Sequence, residues 1–193
     1  MRLVLNIVLL LIAAALAFVL YKGIEEPIAF NKVRKIRRDA VVAKLELIRD
    51  AQEMYRDIKG IFADDFDSLA HVLKTDSFMI VAVIGDPDDP NFTGEIEYDT
   101  TYKSALDSIR ALGMNVDSLR YVPHGHGEVF DIAADTIEYQ STLVPVVEVG
   151  ARWKVFMGRY ADARFAKYDQ KYDPNKPLKF GDMNKPNLAG NWE

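Results

Sequence analysis

The first twenty residues separate sharply from the rest. Leu3 to Leu20 is apolar at every position but Asn6. At about 1.5 Å per residue this run spans roughly 27 Å as a helix, the thickness of a hydrocarbon core, with Tyr21 at the interface. The pattern predicts a transmembrane anchor over residues 1–26. A cleaved signal peptide is the competing reading: Arg2 as basic start, Leu3 to Ile12 as apolar core, Ala15-Leu16-Ala17 as cleavage site. The run continues through Phe18-Val19-Leu20, which favours retention.

Residues 27–60 read as a long amphipathic helix, a stalk. Pro27 either opens a new helix in its first turn or kinks a continuous one. Apolar residues then recur at Val33, Ile36, Ala40, Ala43, Leu47, Ala51, Met54 and Ile58, in steps of three and four that keep one helical face. This stripe predicts the face that packs on the rest of the chain, with a homomeric coiled coil as the alternative. The basic cluster Lys32 to Arg38 reads as a solvated face close to lipid headgroups. Gly60 is placed to end the helix at positive φ.

Residues 61–193 then change period. Asp65 to Lys74 reads as a short helix carrying His71. Phe78 to Ile84, continuously apolar, reads as a buried strand. Ile96, Tyr98, Thr100 and Tyr102 alternate with polar positions, as in an antiparallel strand. A short helix is expected over Tyr102 to Leu112, closed by Gly113. Further strands are expected at Leu119 to Val122, Val129 to Ala133, Thr136 to Tyr139, Val144 to Val149 and Trp153 to Met157. From Ala163 onward, prolines and glycines mix with Tyr168, Tyr172, Phe180 and Trp192, predicting an irregular C-terminal tail that wraps the head through its aromatics. The expected class is α+β: an N-terminal transmembrane helix continuing into the stalk, packed on an antiparallel sheet head.

Composition narrows the class. Of 193 residues, 49% are apolar and 27% charged, a balance that supports a folded body. The net charge of −5 argues against nucleic acid as a partner. With no cysteine, disulfides, thiolate metal sites and cysteine nucleophiles are excluded.

Three stretches together resemble a known architecture. Ala51-Gln52-Glu53-Met54-Tyr55, then Gly60-Ile61-Phe62-Ala63, then Phe66-Asp67-Ser68-Leu69 is similar to the end of the long first helix in type IV pilins and type II secretion pseudopilins, over about residues 1–73. The resemblance implies that Tyr55 packs under the head, that Gly60 caps the helix, and that Phe62, Phe66 and Leu69 return the chain onto it. It also implies an amino terminus inside and a head outside. The chain departs from these families in having no prepilin-peptidase motif.

Orientation draws on opposing signals. Lys22, Lys32, Arg34, Lys35, Arg37 and Arg38 follow the anchor and only Arg2 precedes it, which would hold the body in the cytoplasm. Five Asp-Ser or Asp-Thr triplets point the other way. These are Asp67-Ser68-Leu69, Asp99-Thr100-Thr101, Asp107-Ser108-Ile109, Asp117-Ser118-Leu119 and Asp135-Thr136-Ile137. They resemble a bacterial O-glycosylation sequon of exported proteins, and such pairs also serve as turn and helix caps. With the pilin-like segment they favour a bacterial inner-membrane, single-pass protein with its head in the periplasm.

Two clusters qualify as candidate metal ligands. Asp86, Asp88, Asp89 and Asn91, followed by Glu95 and Glu97, gather oxygens at twelve-residue spacing, but Pro90 and Asn91 occupy positions a calcium loop needs otherwise. His124-Gly125-His126 offers two imidazoles, with His71 as a distant third. A proline-rigidified turn and a glycine hairpin turn explain them better. No nucleophile elbow, phosphate loop or dinucleotide fingerprint occurs. The sequence therefore assigns no catalytic, cofactor or metal residue. It predicts a structural or assembly subunit of an envelope or secretion machine, its partners being membrane lipid, other envelope proteins or copies of itself. A non-polymerising tethered module that binds a protein or glycan is the alternative.

Overall fold

The computed structural model describes residues 1–84 and 97–193. Its first element, α1, is a single helix over Arg2–Lys59, about 87 Å long at 1.5 Å per residue. It runs through Pro27 without interruption. Proline lacks an N–H, so the Gly23 carbonyl loses its helical partner there. That position sits in the first turn after the apolar run, where water can take the carbonyl over. The helix ends as its sequence predicts. Gly60 adopts φ 77° and its N–H donates to the Arg56 carbonyl at 2.7 Å.

The buried face of α1 overlaps the expected one only in part: Ala51 is buried, and Val33, Ala40, Leu47, Met54 and Ile58 are half-buried. Ile36 and Ala43 of the predicted stripe are exposed. The buried residues are Phe30, Val41, Leu45, Ile48, Ala51, Gln52 and Tyr55, with half-buried Arg34 and Arg37 on the same side; of these only Ala51 belongs to the predicted stripe. Their row is offset from the predicted one by a single residue, about 100° of rotation. Three polar side chains lie in it, so hydropathy alone points to its neighbour. Gln52 and Arg37 are met by backbone and Arg34 by the Asp169 carboxylate, which makes their burial tolerable.

Gln52, fully buried, is the clearest case. Its Nε2 donates to the Ala63 carbonyl and its Oε1 accepts from the Ala63 N–H, both at 2.9 Å. The side-chain amide thus pairs with a backbone unit as a neighbouring strand would. This fastens the return loop to the helix. Phe62, Phe66 and Leu69 follow it into the core. Helix α2, Phe66–Thr75, is capped by Asp65, whose carboxylate accepts from the Asp67 and Ser68 amides, each at 2.7 Å.

Strands β1, Ser77–Ile84, and β2, Glu97–Ser104, form a separate antiparallel ribbon. The apolar run is a strand, but it is not buried as expected. Phe78 is half-buried against the core, while Met79, Ile80 and Val81 are exposed. Among the described residues no third strand joins this ribbon. Helix α3, Ala105–Ala111, begins later than expected because Tyr102 belongs to β2. Gly113, at φ 62°, closes it with an N–H donated to Arg110.

The main sheet has three strands in the order β3, β4, β5, all antiparallel. Strand β3, Asp131–Tyr139, joins two segments expected to be separate, and turns into β4, Thr142–Arg152, through Gln140 and Ser141 at positive φ. Such a two-residue loop matches the twist of a hairpin. The expected strand at Leu119 to Val122 is instead a 3-10 turn at Val116–Ser118 and one isolated bridge, Tyr121 to Val129. The expected strand at Trp153 to Met157 is a short helix, α4, Trp153–Phe156. Lys154 there donates to Pro174 rather than to a strand partner. The tail is less irregular than predicted. Its Pro177–Gly181 segment is β5, which buries Leu178 and Phe180.

Candidate functional site

The most distinctive region lies where the head meets the lower part of α1. The first twenty-five residues of the chain are exposed, and the head begins to cover the helix only near Glu26. Burial at Phe30 is complete. Its ring stacks on Phe165 (centroids 5.6 Å apart, planes within 8°) and meets Tyr160 and Tyr172 edge-on at 5.7 and 5.1 Å. Such offset and edge contacts are the favoured aromatic geometries. The partners come from a 3-10 turn at Gly158–Tyr160, another at Ala163–Tyr168, and the stretch after it. Tyr172 donates from its hydroxyl to the Tyr160 carbonyl at 2.6 Å. Burial pushes its ionisation up to about 12, helped by the negative charges of Asp162 and Asp173.

Basic side chains of α1 bolt the same region down. Arg37 donates to the Phe156 carbonyl at 2.5 Å, and Arg38 to the Trp192 carbonyl at 3.3 Å. Arg34 pairs with Asp169. Arg49 reaches Glu193 at 2.8 Å higher up. Gly158, at φ 56°, leaves room for Arg37: a Cβ there would meet its guanidinium at 2.9 Å. The Lys32 to Arg38 cluster is therefore mostly not the solvated face expected of it. Within it only Lys32, Lys35 and the adjacent Ile36 are exposed. The sequence carried one signal for this. Phe30 is the sole aromatic residue between Tyr21 and Tyr55, and it stands in register with Arg34, Arg37 and Val41.

The lower rim of this region is a recess of about 410 Å³ between Lys22, Glu25, Glu26 and Ala29 of α1 and Arg159, Tyr160, Arg164 and Phe165 of the head. Glu25 pairs with Lys22 at 3.3 Å, and Glu26 accepts from the Tyr168 hydroxyl and lies 3.7 Å from Lys167. Arg159 lies over the Tyr160 ring and Arg164 over the Phe165 ring, each with 4.7 Å from guanidinium carbon to centroid.

The sequence candidates fall elsewhere. The Asp86 to Glu95 part of the acidic loop lies outside the described residues. His124 and His126 occupy an exposed turn, at φ 63° and 54°, closed by Val122 donating to Glu128 at 2.9 Å. His71 is exposed on α2. Among the described residues no group of three or more His, Asp or Glu side chains is assembled to hold a metal ion. Several of the Asp-Ser/Thr triplets do local structural work, including Asp135, which accepts from the Thr136 amide at 2.7 Å. The Ser68 hydroxyl donates to Asp65 at 2.6 Å, and Ser118 accepts from Lys44 at 3.1 Å while donating to Asn115 at 2.9 Å. Thr100 and Thr136 stand exposed on strands.

Comparison of the chain with known protein families, with curated proteins and with solved structures found no match.

Proposed function

We propose that the protein is a single-span, pilin-like structural or assembly subunit of a bacterial envelope or secretion machine. In this reading the bare third of α1 crosses the inner membrane and the head stands in the periplasm. The observation that carries it is the division of labour along α1. One unbroken helix leaves an apolar run long enough to cross a membrane wholly uncovered, then clasps a folded head along one face of its remaining length. A helix of a soluble domain would bury its most apolar segment; this one buries its least apolar part. The Gln52–Ala63 clamp and the Gly60 cap give the end of the helix the architecture that the Ala51 to Leu69 segment resembles in pilins.

Assembly through the span is testable because the chain has no cysteine of its own. Single cysteines at Asn6 or Ala13 should crosslink copies or partners in native membranes. Monomers only, with no protein copurifying in mild detergent, would sink the assembly reading. Protease added to spheroplasts should digest the head, and full protection would reverse the orientation.

A second reading is favoured by the β1–β2 ribbon, one face of which exposes Met79, Val81 and Tyr102. Exposed apolar patches of this kind mark contact surfaces. Here the protein is a tethered module whose ribbon takes a protein partner without polymerising. Met79→Lys would then abolish partner capture and leave any crosslinking through the span unchanged.

A further inference from the structure

We infer that the underside of the head binds the headgroup of an anionic phospholipid, in the recess between Lys22, Arg159 and Arg164. The inference rests on the membrane-spanning reading of residues 3–20.

Height places the recess at the lipid surface. Counting from Tyr21 at about 1.5 Å per residue, Lys22 lies roughly 1.5 Å, Glu26 roughly 7.5 Å and Ala29 roughly 12 Å beyond the apolar run. The headgroup layer of one leaflet is about 5–7 Å deep. The mouth of the recess, at Lys22 to Glu26, is therefore level with the phosphates.

Charge selects the ligand. The chain carries −5 overall, but segments 22–38 and 158–171 together hold ten basic and four acidic residues, a net of +6. The remainder is thus −11, and the molecule is polarised with its basic end toward the bilayer. Within the recess both carboxylates are already engaged, Glu25 by Lys22 and Glu26 by Lys167 and Tyr168. Arg159 and Arg164 are exposed and, among the described residues, have no carboxylate within 4 Å. Both guanidiniums rest on aromatic faces, and Arg159 also donates to the Tyr160 hydroxyl at 2.7 Å. A stacked guanidinium is held in place while its outer N–H groups stay free, the arrangement that recognises phosphate oxygens in pairs.

The test uses the full chain in phosphatidylcholine nanodiscs containing spin-labelled phosphatidylglycerol or spin-labelled phosphatidylcholine, with the motionally restricted fraction measured for each. Wild type should favour phosphatidylglycerol, and the ratio should fall with added salt. A cation near an anionic surface contributes about five-fold in affinity, so R159Q/R164Q should lower the ratio by about five-fold or more. R110Q, at the end of the head remote from the bilayer, should leave it unchanged. Near-UV circular dichroism matching wild type would certify the fold of the double variant. A ratio of one for wild type overturns the inference without any variant. So does a preference that survives in R159Q/R164Q, or that falls equally in R110Q. Entry into discs without headgroup preference removes this inference alone; failure to enter discs removes the spanning reading with it.

Discussion

Phe30→Ala tests how the head is fastened to its helix. The ring is fully buried and touches four aromatic side chains. Truncation loses roughly 1.5–2.5 kcal/mol of transfer free energy. The void left, about 100 Å³ if nothing collapses into it, adds about 2.4 kcal/mol. Together these give about 4 kcal/mol, inside the 3–5 kcal/mol found for Phe→Ala in cores. For a body of this size each kcal/mol lowers Tm by about 2–4 °C, so the expected fall is about 8–16 °C. The loss should be local first. Near-UV circular dichroism of Trp153, which lies 5.9 Å from Tyr172, reports the base of the head directly in detergent-solubilised full chain. Trypsin offers a second reading, because Arg159, Arg164, Lys167 and Lys171 all lie in the segment that Phe30 holds. Cleavage there follows the open population when reclosing is fast, and 4 kcal/mol would raise it up to about a thousand-fold. Phe30→Leu should cost much less. A loss under 1 kcal/mol with an unchanged cleavage rate would refute the claim that this cluster anchors the head.

Three other expectations follow from the same contacts. Gln52→Leu strands the buried N–H and carbonyl of Ala63 and should cost about 2–5 kcal/mol, read by urea unfolding; a neutral substitution would show that the clamp is dispensable. Asp65→Ala should cost about 1 kcal/mol. The Ser68 hydroxyl and amide hold the Asp65 carboxyl below its usual range, so its contribution is present above the unfolded value of about 3.9 and is lost as pH falls through the lower folded value. The variant's deficit should therefore shrink in acid, and a deficit constant to pH 2 would contradict the assignment. Tyr172 has the opposite sign. Its stabilisation is complete below about pH 10 and is lost as pH rises toward 12. Tyr172→Phe should remove that alkaline phase and cost about 1 kcal/mol at neutral pH from the lost bond to Tyr160.

The parts of this fold legible in the sequence are those set by local chemistry. The apolar run, the Gly60 stop and the short helix from Asp65 each depend on neighbours within a few residues. Long-range pairing erased other signals. The buried row of α1 contains Arg34, Arg37 and Gln52, whose polar groups are met by carbonyls and a carboxylate from distant segments, so the neighbouring apolar row looked the better core face. Phe78 to Ile84 has the composition of a central strand, yet it sits in a two-stranded ribbon where Phe78 is half-buried against the core and Met79, Ile80 and Val81 are exposed. Trp153 to Phe156 reads as β by its residues, but its side chains are needed around Tyr172 and the chain turns to deliver them. The lower recess combines residues more than a hundred positions apart, and no spacing rule connects Lys22 with Arg164.

The uninterrupted passage of α1 through Pro27 has a mechanical meaning. From Tyr21 to Lys59 the helix extends about 57 Å, and the head grips it at both ends, at Phe30 below and at Gln52 above. Pro27 removes one rung of the ladder without ending the helix, and from Phe30 upward the head braces it, so the rod works as a lever. On the membrane-spanning reading, where helices tilt by about 20° on average, a change of only about 10° would carry the far end, with α2 beside it, sideways by about 10 Å. Bilayer thickness or a neighbouring span could thus steer the position of the β1–β2 ribbon without touching it.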